Sequence, residues 1–358
     1  MVAHDHALLF GLAMSSPSPL PVHADPLLDV IELSSASRTE ITGLVGRLAS
    51  TSTFASREAL VAATGAHKTA LPTEVASALS RLKSAHHEPA LLIRGFRVDD
   101  VALGRTPAHW ARCHPLTPPS PTLMQELVVT LLAESLGALF GYASLQDGRL
   151  LHNVLPIAGA ELHQSGHGSL SELAWHTEDA FTPHRADHLI LMSLRNPHSV
   201  ATTLAGIDAV LRLDAHDRNL LSQPRYSVRP DDEHRLCSSP PSQLSVLDPR
   251  AWPNVVPVLR DGPHGPQIVI DSVYMTAIDP DASLAFERAK RALDANLTAV
   301  QLMPGDILVL DNHRVVHGRE PFLARHDGTD RWLIKASVTS DYAGIRSYCG
   351  DSTPRTLA

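Results

Sequence analysis

Cysteines are few in this sequence of 358 residues, and their positions exclude several kinds of site. The three cysteines, Cys113, Cys237 and Cys349, are odd in number and far apart, and no Cys-x-x-Cys motif occurs. This spacing argues against a disulfide framework and against a cysteine-based metal or redox site. It is typical of unpaired thiols in a reducing cytoplasm.

Runs of basic residues and long runs of apolar residues are also lacking. The formal net charge is -8 and the isoelectric point is near 6.2, whereas nucleic-acid-binding domains carry a basic face. No stretch approaches the roughly 20 apolar residues that a membrane-spanning helix needs. The apolar segment 7–14 follows an amino terminus without Lys or Arg, so we interpret it as non-secretory. These absences predict a cytoplasmic protein without a nucleic-acid or membrane partner.

The overall composition is that of an ordinary globular protein, with 44% hydrophobic and 19% charged residues. Neither an internal repeat nor a linker between two domains is evident. We predict a flexible N-terminal extension over residues 1–25 and a single domain over residues 26–358. That length is within range for one large β domain with added helices. The composition leaves the oligomeric state open.

Helical periodicity dominates the first third of the chain, and short apolar strands dominate the rest. Apolar residues recur at three- and four-residue spacing in the predicted helices 37–48, 73–86, 121–140 and 282–297. Short apolar segments bounded by turn residues predict strands at 90–93, 150–155, 188–194, 243–247, 267–270, 307–310 and 332–338. This pattern favours an α+β fold with a double-stranded β-helix (jelly-roll) core and surrounding helices.

Two polar loops have the composition of active-site lids. Residues 163–171 are rich in Gly and Ser, and residues 229–241 contain an Arg-Pro-Asp-Asp turn. Long loops within a compact domain are often functional. Ordinary surface loops are the alternative interpretation, since such compositions also occur without a function.

The segment 175–181 contains a histidine and a carboxylate that can act together. Alternate residues of a strand point to the same side, so His176 and Glu178 can converge on one point. An imidazole and a carboxylate are two of the three ligands in the 2-His-1-carboxylate site of non-haem Fe(II) oxygenases. The sequence therefore predicts iron binding, with a distant histidine as the third ligand.

The segment 311–319 offers two candidates for that third ligand, His313 and His317. We choose His317, because the following Gly318 permits a close backbone approach near a metal. Arg331 lies fourteen residues further on. An antiparallel return strand would bring its guanidinium into the same cavity, where it can bind a carboxylate through two parallel hydrogen bonds.

Two other classes of protein are compatible with these three ligands. Two histidines and one glutamate can hold zinc in a hydrolase, and a non-catalytic jelly-roll protein can bind a metal. The chain lacks the His-Glu-x-x-His helix of zinc proteases. A mere metal site has no need of a carboxylate-binding arginine such as Arg331, so an oxygenase is favoured.

Several short motifs accompany the three ligands. They are Trp-His-Thr-Glu-Asp-Ala-Phe at 175–181, His-Arg-Ala-Asp at 184–187, Ser-Leu-Arg-Asn-Pro at 193–197, Val-Ala-Thr-Thr-Leu-Ala-Gly at 200–206, Arg-Pro-Asp-Asp at 229–232, His-Gly-Arg at 317–319 and Asp-Arg-Trp-Leu at 330–333. With these motifs the chain resembles the clavaminate synthase-like Fe(II)/2-oxoglutarate oxygenases over residues 87–352. Within that family it resembles the free amino-acid hydroxylases, such as the viomycin-type arginine β-hydroxylase and asparagine hydroxylase.

The resemblance implies a cosubstrate and a reaction. Fe(II) would be held by the three ligands above, and 2-oxoglutarate would place its distal carboxylate on Arg331 and on a threonine hydroxyl, that of Thr202 or Thr203. With O2, 2-oxoglutarate becomes succinate and carbon dioxide, and a free polar or basic L-amino acid is hydroxylated at C3 or C4. Natural-product biosynthesis is the implied setting. The same site could instead desaturate or cyclise an amino-acid derivative.

The resemblance also implies contacts with the head group of the substrate. Glu178 would touch the substrate amine. A glutamine of the arginine hydroxylase that contacts the α-amino group is replaced by Leu145, and the neighbouring Gln146 could compensate. Lys335 occupies a position where that relative has an arginine for the substrate carboxylate.

Acidic residues are the implied partners of the substrate side chain. The arginine hydroxylase clamps a guanidinium with two aspartates, of which Asp271 remains and the second is Val273. A single carboxylate suits an ammonium group, a urea or an amide better than a bidentate guanidinium clamp. Asp231 and Asp232 in the second lid could add charge recognition. Arginine, lysine and citrulline are the resulting candidates.

Overall fold

The computed structural model describes residues 27–51, 54, 57–84, 87–113, 120–235, 255–351 and 353–358. The predicted extension 1–25, the predicted strand 243–247 and the end of the second predicted lid lie outside these residues. The division into an extension and one domain therefore stays a prediction. Within the described ranges no helix is long and apolar enough to cross a membrane.

The described residues contain sixteen strands and ten α-helices, which are joined by loops. The strands are β1 (Leu28–Glu32), β2 (Ala90–Arg94), β3 (Ala138–Tyr142), β4 (Leu151–Val154), β5 (Leu173–His176), β6 (His188–Arg195), β7 (Ala201–Gly206), β8 (Tyr226–Val228), β9 (Leu259–Gly262), β10 (Gly265–Ile268), β11 (Met275–Ala277), β12 (Thr298–Gln301), β13 (Ile307–Asp311), β14 (Val315–Arg319), β15 (Trp332–Thr339) and β16 (Thr356–Leu357). The helices are α1 (Ser35–Thr51), α2 (Arg57–Gly65), α3 (Thr73–Leu82), α4 (Asp100–Leu103), α5 (Leu123–Leu136), α6 (Asp208–Leu211), α7 (Ala215–Leu221), α8 (Asp232–Arg235), α9 (Pro280–Asp294) and α10 (Tyr342–Arg346).

The larger sheet has the strand order β1-β2-β13-β6-β15-β3-β16, and β4 also pairs with β15. Its central strand β6 is buried along its whole length, because both faces of the sheet are covered. Leu189 and Leu191 belong to an apolar cluster shared with the smaller sheet. Ile190, Met192 and Leu194 belong to the cluster formed with the helices. The alternation follows from the two-residue period of a strand.

The smaller sheet has the order β12-β7-β14-β5. All three of its pairings are antiparallel. Leu204 of β7, Val300 of β12 and Val315 of β14 pack into the cluster that contains Leu189 and Leu191 of the larger sheet. The two sheets therefore face each other across an apolar core, and the predicted α+β jelly-roll class is confirmed.

The predicted helix 121–140 is too long at its C-terminal end. The structure has helix α5 only as far as Leu136, and strand β3 begins after Gly137. A Cβ at Gly137 would collide with the carbonyl oxygen of Thr339, and β3 pairs there with β15. The long-range pairing converts the end of a continuous apolar run from helix to strand.

The other predicted elements agree more closely with the structure. Predicted helices 37–48 and 282–297 correspond to α1 and α9, and predicted helix 73–86 corresponds to the shorter α3. Predicted strands correspond to β2, β4, β6, β10, β13 and β15. Sequence patterns missed helix α2. They also missed the short strands β1, β7 and β12, because these lack the run of four apolar residues that marks β2 and β13.

Candidate active site

The two predicted iron-binding histidines lie on neighbouring strands of the smaller sheet. His176 is the last residue of β5, and it pairs in register with His317 of β14. Glu178 lies just beyond the end of β5. The side chain of Asn312 accepts a hydrogen bond from the amide of Glu178 (2.9 Å) and donates one to its carbonyl oxygen (3.1 Å). These bonds hold the chain so that Glu178 returns beside the two histidines.

The side chains of these three residues converge on one point. One donor atom from each of His176, Glu178 and His317 lies within 4.8 Å of the others. Glu178 Oε2 is 3.5 Å from His176 Nε2 and 3.3 Å from His317 Nε2. The Nδ1 atom of His176 lies 2.9 Å from the carbonyl oxygen of Ala174, which turns Nε2 towards the centre. Two imidazoles and one carboxylate form a donor set that suits Fe(II) and leaves coordination positions open.

Close packing of strands explains the glycine after His317. A Cβ at Gly318 would lie 2.5 Å from the carbonyl oxygen of Leu173 on β5, so a side chain would push the two histidine-bearing strands apart. The other histidine of this segment, His313, lies elsewhere and pairs with Asp187 at 2.7 Å.

Burial and charge act in opposite directions on the pKa values of the three groups. Burial raises the pKa of Glu178, but the Lys335 ammonium and the two histidines outweigh it and hold this pKa well below its usual range. Burial lowers the pKa of His176, but the Glu178 carboxylate outweighs it and raises this pKa to about 9. For His317 burial prevails and the pKa is lowered. A metal ion would replace the proton that the carboxylate favours on His176, because a ligating histidine is neutral.

Lys335 of β15 neutralises the other oxygen of the carboxylate. Its ammonium donates a hydrogen bond to Glu178 Oε1, while Oε2 faces the two histidines. Lys335 also lines the cavity that contains the three predicted ligands, so its charge can act on a molecule bound there.

A buried guanidinium lies at another position in the same cavity. Arg331 Nη2 is 3.5 Å from the hydroxyl of Thr202, and both side chains line the cavity. Arg331 has no carboxylate partner among the described residues, and burial together with the charge of Arg319 lowers its pKa to about 9. Thr203 does not line the cavity. This region suits the distal carboxylate of 2-oxoglutarate, because Arg binds carboxylates through paired hydrogen bonds.

Two predicted acidic residues line the cavity on the side of the second lid. The same cavity is lined by residues of both predicted lids as well as by the three converging side chains. Asp231 and Asp271 both contribute to its wall. Asp271 Oδ1 accepts hydrogen bonds from the amides of Val273 (2.7 Å) and Tyr274 (2.6 Å), so one carboxylate oxygen is already used.

Two other predicted substrate residues have partners within the protein. Gln146 lines the cavity, but its Nε2 donates to the carbonyl oxygen of Asn153 (3.1 Å) and its Oε1 accepts from the amide of Asn153 (2.9 Å). The Asp232 side chain is 43% exposed and pairs with Arg235 at 3.2 Å. Asp232 does not line the cavity.

The described part of the second lid is held by a buried histidine, His234 of α8. Its Nδ1 lies 2.7 Å from Ser144 Oγ, and its Nε2 lies 2.9 Å from Asp179 Oδ1. The rings of Tyr142 and Phe181 pack edge-on against it, with centroids at 5.2 and 4.8 Å. Because Asp179 directly follows the predicted carboxylate ligand, the lid is tied to the segment that forms the site.

Sequence reasoning missed four ionisable groups that line the cavity, and these are His167, Glu233, Tyr274 and Arg319. His167 Nε2 of the first lid lies 3.4 Å from Glu233 Oε1 of the second lid, so the two lids meet over the cavity. Arg319 donates hydrogen bonds to the carbonyl oxygens of Gly168 and Ser171 and thereby holds the first lid. The composition of both loops was a signal for lids, but composition does not show which side chain turns inward.

Comparisons with known proteins agree on one family. Residues 78–337 match the family model described as "Taurine catabolism dioxygenase TauD, TfdA family". Enduracididine beta-hydroxylase of Streptomyces hygroscopicus is 41% identical over 301 residues, covering 80% of this chain and 87% of the relative. L-ornithine/L-arginine 3-hydroxylase of Catenulispora acidiphila is 34% identical over 294 residues, covering 78% and 84%. The non-heme iron oxygenase OrfP, solved with Fe, succinate and (3S)-hydroxy-L-Arg, superposes with a TM-score of 0.83 at 34% identity, covering 92% of this chain and 100% of that one.

The matched span contains the three converging side chains and Arg331. Oxygenases and hydroxylases recur among the relatives, so neither a zinc hydrolase nor a non-catalytic metal-binding protein fits the chain. The chain therefore belongs to the TauD/TfdA family and is a non-haem iron, 2-oxoglutarate-dependent dioxygenase.

Proposed function

We propose that this enzyme hydroxylates a free basic L-amino acid at C3 or C4, with His176, Glu178 and His317 as its iron ligands. The observation that carries the proposal is the presence of this donor set and of the buried guanidinium of Arg331 in one cavity. A metal site alone would need only the first feature. An anionic cosubstrate explains the second, because a buried charge without a partner is unfavourable.

When bound, Fe(II) and 2-oxoglutarate supply the oxidation of a C–H bond by O2, with succinate and carbon dioxide as co-products. The chain itself contributes placement. Arg331 and Thr202 would orient the distal carboxylate of the cosubstrate, and Lys335 donates a hydrogen bond to Glu178 Oε1. The contact between the two lids would limit the access of water to the reacting atoms. These groups would hold one C–H bond of the substrate in position for the oxidation.

The carboxylates of the cavity support a substrate with a cationic side chain. Asp231 and the remaining oxygen of Asp271 line the wall, and Val273, whose surface is 42% exposed, lies beside them. One available carboxylate oxygen on each aspartate suits an ammonium group or one edge of a guanidinium. Relatives named for enduracididine, for ornithine and arginine, and for lysine support this class. Arginine, ornithine and lysine are therefore the first candidates, with citrulline as an uncharged comparison.

Desaturation or cyclisation at the same site is the second candidate. Clavaminate synthase 2 of Streptomyces clavuligerus is 32% identical over 282 residues, covering 76% of this chain and 81% of that protein. A hydroxylated product gains one oxygen atom, whereas a desaturated or cyclised product loses two hydrogen atoms. Mass spectrometry of the product therefore separates the two outcomes.

Succinate release tests the proposed function. The purified enzyme receives Fe(II) and 2-oxoglutarate without oxygen and is then exposed to oxygen with each of L-arginine, L-ornithine, L-lysine, L-citrulline and L-asparagine. We expect one basic amino acid to stimulate succinate release and to gain one oxygen atom. Substrates deuterated at C3 or at C4 then identify the carbon by the loss of one deuterium. Stimulation by none of them would contradict the proposal.

We also propose the cytoplasm as the compartment and natural-product biosynthesis as the setting. Cys113 and Cys349 carry free thiols, which suits a reducing compartment. Clavaminate synthase and enduracididine hydroxylase among the relatives support the biosynthetic setting. Fractionation of cells that produce the protein tests the compartment, and its recovery outside the cytoplasm would contradict it.

A further inference from the structure

Glu233 of α8 is a lid carboxylate that lines the cavity without being needed for the proposed recognition of the side chain. We propose that Glu233 binds the α-ammonium group of the amino-acid substrate, next to the α-carboxylate contact that the family resemblance already implies for Lys335. The inference rests on the proposed function, since only a free amino acid carries both groups. Glu233 then determines specificity for an unmodified head group.

A chain of contacts places Glu233 on the Lys335 side of the cavity. Glu233 Oε1 lies 3.4 Å from His167 Nε2, and His167 Nδ1 lies 3.0 Å from the carbonyl oxygen of Leu155. Leu155 directly follows β4, and β4 pairs with β15 so that His152 stands opposite Lys335. The backbone of Asp271, by contrast, forms a β-bridge with His176 of the smaller sheet. Glu233 is therefore linked through His167 to the residue after β4, whereas Asp271 lies next to His176.

Glu233 has capacity for a further partner. Its Oε1 is shared with His167, whereas Oε2 has no ion-pair or hydrogen-bond partner among the described residues. His167 is itself buried, and no described residue forms a well-aligned hydrogen bond with its Nε2. A buried polar pair left partly unsatisfied favours a ligand that completes it. An ammonium group, with three donors, can do so.

The charges at this end of the cavity complement a zwitterion. Burial raises the pKa of Glu233, but the neighbouring His167 and Lys335 outweigh it and lower this pKa to about 2. Lys335 lines the same cavity, and its ammonium contacts the Glu178 carboxylate. Glu233 is therefore anionic and Lys335 cationic at neutral pH. The α-ammonium and α-carboxylate of an amino acid present the opposite pattern.

Gln146, the residue that the sequence suggests for the amine, is not available for it. Both ends of its amide are bonded to the backbone of Asn153. Glu233 is, in contrast, held beside the cavity by the burial of the next residue, His234, in its pocket of polar and aromatic side chains. The lid therefore presents to the cavity a carboxylate of which one oxygen pairs with His167.

The test compares the wild-type enzyme with Glu233→Gln, which keeps the shape of the side chain and removes its charge. Each protein is loaded with Fe(II) and 2-oxoglutarate. Amino-acid binding is measured by calorimetry without oxygen, and succinate release is measured with oxygen. The ligands are the fastest substrate among L-arginine, L-ornithine and L-lysine, its Nα-acetyl derivative, and its analogue with an uncharged side chain.

We expect Glu233→Gln to weaken binding of the free amino acid about tenfold to a hundredfold, because a hydrogen bond between charged groups is lost. The loss should be the same for the analogue with an uncharged side chain. The preference of the enzyme for the free amino acid over its Nα-acetyl derivative should shrink by the same factor. Glu287→Gln is the matched control, because it removes the same charge from an exposed pair with Lys290 on α9, and it should bind as the wild type does.

Two results would overturn the assignment. One is an unchanged dissociation constant in Glu233→Gln. The other is a loss confined to the ligand with the cationic side chain, which would make Glu233 a side-chain contact. If the wild-type enzyme binds iron and 2-oxoglutarate but no free amino acid stimulates succinate release, the proposed function fails first, and the head-group assignment fails with it.

Discussion

Single residues in this cavity differ in how fully their polar atoms are satisfied. The oxygens of Glu178 face His176, His317 and Lys335. The Nε atom of Arg331, by contrast, is buried without a partner among the described residues. Leaving such an atom unpaired costs about 1–3 kcal/mol. The difference indicates that the guanidinium is completed by a bound anion, whereas the carboxylate already sits among the groups that hold it.

The role of this guanidinium can be measured through the cosubstrate. Arg331→Ala should raise the KM for 2-oxoglutarate steeply, because removing one partner of a buried charge pair costs roughly 2–5 kcal/mol, or about 30-fold to several thousandfold. The measurement is succinate release against 2-oxoglutarate concentration with saturating amino acid. An unchanged KM would show that another cation, such as Arg319, holds the carboxylate.

The two adjacent threonines, Thr202 and Thr203, allow a comparison of which hydroxyl binds the distal carboxylate of 2-oxoglutarate. Thr202 lies beside Arg331 and lines the cavity, whereas Thr203 does not line it. Thr202→Val should therefore raise the KM for 2-oxoglutarate about three- to tenfold, as expected for one lost hydrogen bond. Thr203→Val should raise it less. The reverse order would assign the hydroxyl contact to Thr203.

Pairs of elements, rather than single residues, set the distance between the two histidines. Strands β5 and β14 approach so closely at Gly318 that an added Cβ would meet the Leu173 carbonyl oxygen at 2.5 Å. Gly318→Ala should lower the free energy of unfolding by about 1–3 kcal/mol, as overpacking usually does. It should also weaken Fe(II) binding, because the strands carry His176 and His317. Thermal unfolding and an anaerobic Fe(II) titration provide the two measurements.

Substitution of a second glycine provides a control that should raise, rather than lower, the free energy of unfolding. Gly43 lies inside α1, and the nearest atom to an added Cβ there is Arg47 Nη1 at 3.5 Å. Gly43→Ala should stabilise the protein by roughly 0.5–1 kcal/mol, because alanine loses less backbone entropy in a helix. Its Fe(II) binding should equal that of the wild type. Unimpaired Fe(II) binding in Gly318→Ala would contradict the role given to the close strand contact.

The lid is an element whose position depends on one buried side chain. His234→Ala removes the bonds to Ser144 and Asp179 and the packing against two aromatic rings. We expect faster amide hydrogen exchange over residues 229–235 and a higher KM for the amino acid, because local opening becomes easier. Exchange followed by mass spectrometry measures the first effect. His216→Ala, at an exposed position on α7, is the control. Unchanged exchange in His234→Ala would show that the lid is held by other contacts.

Across the whole molecule, the sheets bury ionisable groups that lie away from the proposed site. His188 at the start of β6 is buried near Asp187, Lys83 and His313, and burial lowers its pKa to about 4. The ordinary pKa of a histidine is about 6.5. Unfolding therefore takes up a proton at this position between pH 6.5 and 4. A group with a depressed folded-state pKa contributes stability that declines as the pH falls through this interval.

This titration predicts a pH dependence of global stability. Between pH 6.5 and 4 the wild-type free energy of unfolding should fall more steeply than that of His188→Gln, by up to about 1.4 kcal/mol per pH unit for one proton. Chemical denaturation at several pH values measures the two slopes. The difference in slope is the test, because the substitution also changes the absolute stability. Equal slopes would show that His188 takes up no proton on unfolding.

Local patterns in the amino-acid sequence were enough to predict the fold class and the main ionisable side chains of the cavity. Periods of two and near four residues are properties of short segments, and they predicted the jelly-roll core with its helices. The His-x-Glu pair and the later His-Gly segment with Arg331 predicted the side chains that the structure brings into one cavity. Ligand type and strand direction can be read locally, so these predictions needed no distant contact.

Long-range packing settled what the local patterns left open. The helix predicted over residues 121–140 ends at Leu136, because β3 pairs with a strand from the far end of the chain. Thr202 rather than Thr203 lines the cavity, and Glu233 turns inward where Asp232 does not. Strand pairing and the packing of a lid depend on residues remote in sequence. Which way a side chain points in a paired strand or a lid is therefore decided only when the whole chain folds. The chemical groups that it carries are given by the residue type alone.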